Sequence, residues 1–180
     1  MRANCRSLKP LRTYSIPFTG LKLGRHDFEY VIGSEFFKEF DYSLVKKGEL
    51  QCHVELDKQE TMIILNFHIF GTVELACDRC LSEYNQPLDI YEQQIFKFSE
   101  EEIGEDDEII TLSKNDTEIA IAGLVYEFIN VAVPFVSVCS NEGNTRSCDK
   151  DMLERLSKLA SGDEQEKSVD PRWDALNKLK

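Results

Sequence analysis

The stretch VELACDRCLSEY, residues 73–84, sets Cys77 and Cys80 two residues apart between runs that alternate like β-strand. On a tight turn that gap lets two thiolates point at one ion, which is half of a tetrahedral thiolate site. The other half has to come from elsewhere in the chain. Cys139 and Cys148 qualify. They flank SNEGNTRS, where Asn141, Gly143 and Asn144 are turn formers able to fold the chain back. CxxC followed some sixty residues later by Cx8C thus suggests four thiolates around one metal. One residue argues the other way: many zinc knuckles carry a glycine directly after the second cysteine, and Leu81 stands there.

Two other readings of the cysteines stay open. A dithiol oxidoreductase would use Cys77 and Cys80, but such a nucleophile normally sits at a helix N-terminus, where the dipole lowers its pKa. CDRC has strand on both sides, and Asp78 opposes what Arg79 can do for a thiolate. The third reading is four small buried hydrophobes with no joint purpose. Cys52 alternates within a strand and reads as a core residue of that kind; Cys5 reads as a free thiol on an N-terminal arm. His26, His53 and His68 are scattered singly in strand-like segments, and a catalytic role is unsupported for each. No phosphate-binding glycine loop and no dinucleotide fingerprint occurs.

The elements that must position these thiols can be read from periodicity. TYSIPF and RHDFEYVIG (25–33) read as strands, and SEFFKEF as one helical turn capped by Ser34. Residues 49–77 alternate apolar and polar side chains, predicting two or three antiparallel strands with a turn at Asp57-Lys58-Gln59. Residues 84–99 alternate again. The run EEEIGEDDE (100–108) holds seven acids in nine positions and reads as a solvated loop, or as a patch for a basic partner. A helix is predicted over 116–131, with Asn115 and Glu118 as a capping box and Ile121, Leu124, Val125, Phe128 and Ala132 as its apolar stripe; Pro134 stops it. A second helix is predicted over 150–160, capped by Asp149, with Met152, Leu153, Leu156 and Leu159 on one side and Gly162 ending it. In the closing DPRWDALNKLK, Asp170 and Pro171 can open a short helix, marginal unless it docks. The fold class is α+β: an antiparallel sheet covered by one main helix, with a second helix and a short helical tail. Residues 1–160 are expected to form one domain with a basic arm at 1–12, and residues 161–180 a linker and tail.

Charge narrows the partners. The net charge is −12, whereas extended nucleic-acid binding depends on lysines and arginines displacing counterions from phosphates. RNA contact would have to be confined to local basic segments: the arm, or the tail residues Arg172, Trp173, Lys178 and Lys180. No apolar run reaches the roughly 18 residues that cross a membrane, and no apolar segment of a secretory signal follows the basic N-terminus. Six cysteines are too few for a small disulfide scaffold.

In this order, GTVELACDRCL, the acidic stretch, LVYEFINVAVPF, the second cysteine loop and DPRWDALNKLK resemble the YceD family of large ribosomal RNA subunit accumulation proteins, its Bacteroidetes-like members most. The likeness runs over roughly residues 10–180. It implies a cytoplasmic, non-enzymatic ribosome-biogenesis factor needed for normal levels of 23S rRNA. It also implies a structural zinc site, with Cys77 and Cys80 matching the first ligand pair and Cys139 and Cys148 the second. The implied partner is a ribosomal protein or assembly factor, with rRNA reached through the arm and tail. No membrane and no small-molecule substrate is expected. A zinc-containing adaptor unrelated to ribosomes is the remaining alternative.

Overall fold

The computed structural model describes residues 10–160 apart from 42, 100–108, 114 and 140–147. Cys5, the acidic run, most of the second cysteine loop, Gly162 and the DPRW tail lie outside the described residues.

Alternation of apolar and polar side chains builds the main sheet. Strands β2 (Gly24–Ile32), β3 (Lys47–Lys58), β4 (Met62–Ala76) and β5 (Glu83–Phe98) pair antiparallel in sequence order. The short β6 (Ile109–Leu112) adds to β5 in parallel, the one departure from the antiparallel pattern expected. Because successive side chains point to opposite faces, Leu50, Cys52, Val54 and Leu56 of β3 turn inward together, as do Ile63, Leu65, Phe67 and Ile69 of β4. Each such side chain contributes about 1.5–3 kcal/mol on burial. The predicted turn at 57–59 falls two residues later. β3 runs through Lys58, whose ammonium donates to the carbonyls of Phe18 and Leu21, and the Gln59 N–H donates to the Met62 carbonyl at 2.9 Å.

Two helices and a small ribbon cover the inner face. α1 (Ser34–Lys38) buries Phe36 and Phe37; Gly33, not Ser34, occupies its N-cap, without a side-chain cap bond. α2 (Ala122–Ala132) lays Val125 and Ile129 on the sheet, and Phe128 meets Phe67 of β4 edge-on at 5.3 Å. This helix starts later than periodicity predicts. Residues 118–120 form strand β7 (Glu118–Ala120), paired with β1 (Ser15–Pro17), so the Asn115–Glu118 capping box does not form. Glu118 instead accepts from the Ser15 hydroxyl, and Asp116 from the Ser113 N–H. The strand wins because it buries Ile119 beside Ile16, both essentially inaccessible, while pairing their backbones. α3 (Lys150–Ala160) starts where expected: the Asp149 carboxylate accepts from the N–H groups of Asp151 and Met152. Its stripe is only partly covered, since Met152 and Leu153 are half-buried but Leu159 is 76% exposed.

The β4–β5 hairpin sets up the site. Its strands are 15 and 16 residues long, far beyond the usual five or six. Gly71 permits the close approach of β3 to β4. Its φ is +146°, and a Cβ there would sit 2.3 Å from the Glu49 carbonyl oxygen. The tip of this hairpin, residues 77–82, carries the first cysteine pair.

Candidate metal centre

At the hairpin tip the Cys77 N–H donates to the Ser82 carbonyl at 2.9 Å, and the Leu81 N–H to the Cys77 carbonyl at 2.8 Å. The turn needs a left-handed residue after the second cysteine. Leu81 supplies it at φ 60°, the single positive-φ residue other than glycine among the described residues. The backbone thus takes the shape that glycine usually provides, and the objection raised by Leu81 concerns strain, not geometry. That conformation costs a non-glycine residue roughly 1–2 kcal/mol.

The chain after α2 returns to this tip. Pro134 follows the helix C-cap at Val133, and the next segment runs beside the knuckle. Asp78 ties the two together twice: its N–H donates to the Ser137 carbonyl at 2.7 Å, and its carboxylate accepts from the Ser137 N–H at 2.7 Å. Sequence reasoning missed this residue, considering it only for its charge beside Arg79. Its spacing carries no signal, because the partner lies 59 residues away. The register set by Asp78 delivers Cys139, whose N–H donates to the Cys77 sulfur at 3.5 Å.

Cys77, Cys80, Cys139 and Cys148 are all buried, and their sulfurs lie within 4.8 Å of one another. Cys80 and Cys139 sulfurs are 3.8 Å apart, those of Cys139 and Cys148 3.2 Å. None of the four is in a disulfide. With metal–sulfur bonds of about 2.3 Å, a tetrahedral thiolate site has edges of about 3.8 Å. The four sulfurs therefore fit one metal ion with little movement. Every residue that spacing nominated as a ligand is brought together, while Cys52 lies apart in the core, where burial pushes its thiol up to about 12.

Hydrogen bonds prepare the cluster electrostatically. Cys80 is lowered to about 6, first by the Asp149 N–H and then by that of Ser82. Burial works against the Cys77 thiolate, but N–H groups of Cys139, Cys80 and Arg79 outweigh it and lower its pKa. Burial pushes Cys139 up to about 12, with its thiol neighbours adding to the rise. At Cys148 a hydrogen bond with Cys139 favours the thiolate, yet burial and the other two sulfurs raise the pKa overall. Two thiols pushed toward the thiolate and two pushed away from it are what a cation resolves: ligation requires thiolates and releases their protons. Asp149 has two tasks here, capping α3 with its carboxylate and supporting the Cys80 thiolate with its N–H.

The histidines are not all isolated. His53 and His68 face each other across β3 and β4 on the outer face of the sheet, and the His68 imidazole meets the Asp89 carboxylate at 2.9 Å. Strand register created that pairing, which single-residue inspection could not reveal. Arg172, Trp173, Lys178 and Lys180 lie outside the described residues. No described helix is long and apolar enough to cross a membrane.

Comparison with known proteins agrees with the motif order. No solved structure matches the chain. An uncharacterized Bacillus subtilis protein, YlbN, is 27% identical over 123 residues, covering 68% of this chain and 69% of its own. A family model described as large ribosomal RNA subunit accumulation protein YceD matches residues 65–180, from near the start of β4 through all four cysteines of the cluster, and the chain therefore belongs to the YceD family.

Proposed function

We propose that this protein is a non-enzymatic ribosome-biogenesis factor that supports accumulation of 23S rRNA, and that Cys77, Cys80, Cys139 and Cys148 hold a structural zinc ion. The convergence of four sulfurs from two distant segments carries the zinc reading. Thiolate donors select soft or borderline cations, and zinc bound by four of them is a closed cross-link with no position left for a substrate. The family description supports the ribosomal role. Function then resides on surfaces. A net charge of −12 suits a basic ribosomal protein or assembly factor. The basic arm and Arg172, Trp173, Lys178 and Lys180 are the segments suited to rRNA. The protein acts in the cytoplasm, without a membrane or a small-molecule substrate.

Two measurements test the two halves. Protein purified without affinity metals is expected to carry a single zinc per chain, which Cys80→Ser loses. A fully folded, metal-free protein removes the clip. Cells lacking the protein are expected to show less mature large-subunit rRNA and more precursor; unchanged levels remove the ribosomal assignment. The lowered pKa of Cys80 favours one alternative, a dithiol oxidoreductase. That reading requires stable metal-free protein with a reactive thiol, which the metal analysis also checks.

A further inference from the structure

The outer face of the sheet is open and has an unusual composition at its centre. One row across the strands reads Glu29, His53, His68 and Tyr91; the next reads Val31, Gln51, Phe70 and Asp89. The His68 ring stacks on Tyr91 at 4.2 Å and 11°, and lies 4.8 Å from Phe70. Tyr91 is 69% exposed and Val31 76%. A cavity of about 430 Å³ opens between Glu29, Val31, His53, His68 and Phe70. These two rows and the row on either side hold five carboxylates, those of Asp27, Glu29, Glu49, Glu55 and Asp89, and no lysine or arginine.

Exposed aromatic side chains on a sheet are a stacking platform, and two classes of ligand stack: nucleic-acid bases and guanidinium groups. The carboxylates decide between them. A phosphate backbone laid over these rows would meet a surplus of negative charge, of which only Glu55 has an arginine beside it, Arg25 at 3.9 Å, whereas a cation gains from both the carboxylates and the π-faces. A second copy of the same face would bring like charges together. We propose that this face docks a basic segment of a protein partner and seats an arginine side chain against Phe70, His68 and Tyr91, with Glu29 and Asp89 beside the guanidinium. The inference needs neither the metal nor the ribosomal assignment, since none of these residues belongs to the cysteine cluster.

The test uses the full chain as purified and a fluorescent peptide of alternating arginine and glycine. The peptide is expected to bind, and its lysine–glycine counterpart to bind more weakly, because an ammonium does not stack as a guanidinium does. Tyr91→Leu keeps an apolar side chain but removes the π-face, and is expected to weaken binding roughly two- to fivefold. Glu29→Gln combined with Asp89→Asn removes two exposed charges and is expected to weaken it about fivefold. Glu127→Gln, an exposed carboxylate on α2, is expected to bind as the parent does. Should the double variant misfold by circular dichroism, Tyr91→Leu and the lysine comparison still decide. The proposal is overturned if the arginine peptide fails to bind, if Glu127→Gln weakens it as much as the face variants, or if a single-stranded uridine oligonucleotide binds instead in a Tyr91-dependent way.

Discussion

Removing one sulfur, in Cys148→Ser, is expected to melt α3 and leave the sheet intact. Little else holds this helix. Met152 and Leu153 are half-buried, while Leu156 and Leu159 are 43% and 76% exposed. Two half-buried side chains contribute about 2 kcal/mol together. The Asp149 cap adds about 1 kcal/mol. Nucleating a helix costs about 4 kcal/mol, and eleven residues of near-neutral propagation do not recover it. The balance is about 1 kcal/mol against the helix, so without its cysteine anchor about one molecule in six keeps α3 formed. The described α-helices total twenty-seven residues, eleven of them in α3. Far-ultraviolet circular dichroism should therefore lose about a third of its helical signal. Amide hydrogen exchange gives the sharper assay: the amides of residues 153–160 should lose protection in Cys148→Ser, and equally in parent protein treated with a chelator, while those of β3, β4 and β5 keep theirs. Protected α3 amides after chelation would refute the argument, because the helix would then have an anchor that its exposure does not reveal.

Three further outcomes follow from the geometry. Leu81→Gly should raise stability by about 0.5–1 kcal/mol, since the left-handed backbone suits glycine and the lost side chain is 72% exposed; a denaturant midpoint that falls would count against the strained turn. Gly71→Ala should cost on the order of 3 kcal/mol, from strain at positive φ and the collision with Glu49; an unchanged melting temperature would show that β3 gives way freely. Where α3 stays formed without the metal, Cys80 is depressed from 9.0 to about 6, first by the Asp149 N–H, and a depressed pKa contributes stability that is complete above the unfolded value and lost as pH falls to the folded one. Cys77 is shifted the same way, whereas the raised Cys139 works against folding only above its ordinary value of 9.0. The fraction of chelated protein that keeps α3, read by circular dichroism, should accordingly fall as pH drops from 9 to 6, and a flat profile would refute the thiolate assignment.

Period-two patterning made β2 through β5 legible, because one face of each strand is buried and the other is not. The four cysteines were legible for a different reason: thiol pairs at short spacing have few uses, so chemistry narrows the choice before geometry is known. Residues 116–121 were misread because Ile119 and Ile121 suit a helical stripe and a strand alike, and only the distant partner at Ser15–Pro17 decides between them. Asp78 and Asp149 escaped notice as supports of the site for the same reason. Asp78 holds the main chain of Ser137 and Asp149 turns its own N–H to the Cys80 sulfur, partners far away in sequence, and an aspartate beside a cysteine has no distinctive pattern. The outer-face row of Glu29, His53, His68 and Tyr91 likewise exists only in the register of four strands.

The division of labour among the N–H donors has a consequence for biosynthesis. Arg79, Cys80 and Ser82 support the first thiolates from within the hairpin tip, whereas Cys139 and Asp149 reach them from later in the chain. The second pair begins 59 residues after Cys80, a delay of roughly 3–12 s at ordinary rates of translation. During that interval the nascent chain carries two sulfurs without the N–H donors that contribute most to lowering their pKa, able to grip a metal but not to enclose it. Closure waits for the arrival of Cys139, Cys148 and the start of α3, so the lock is shut only after the sheet and α2 have been made.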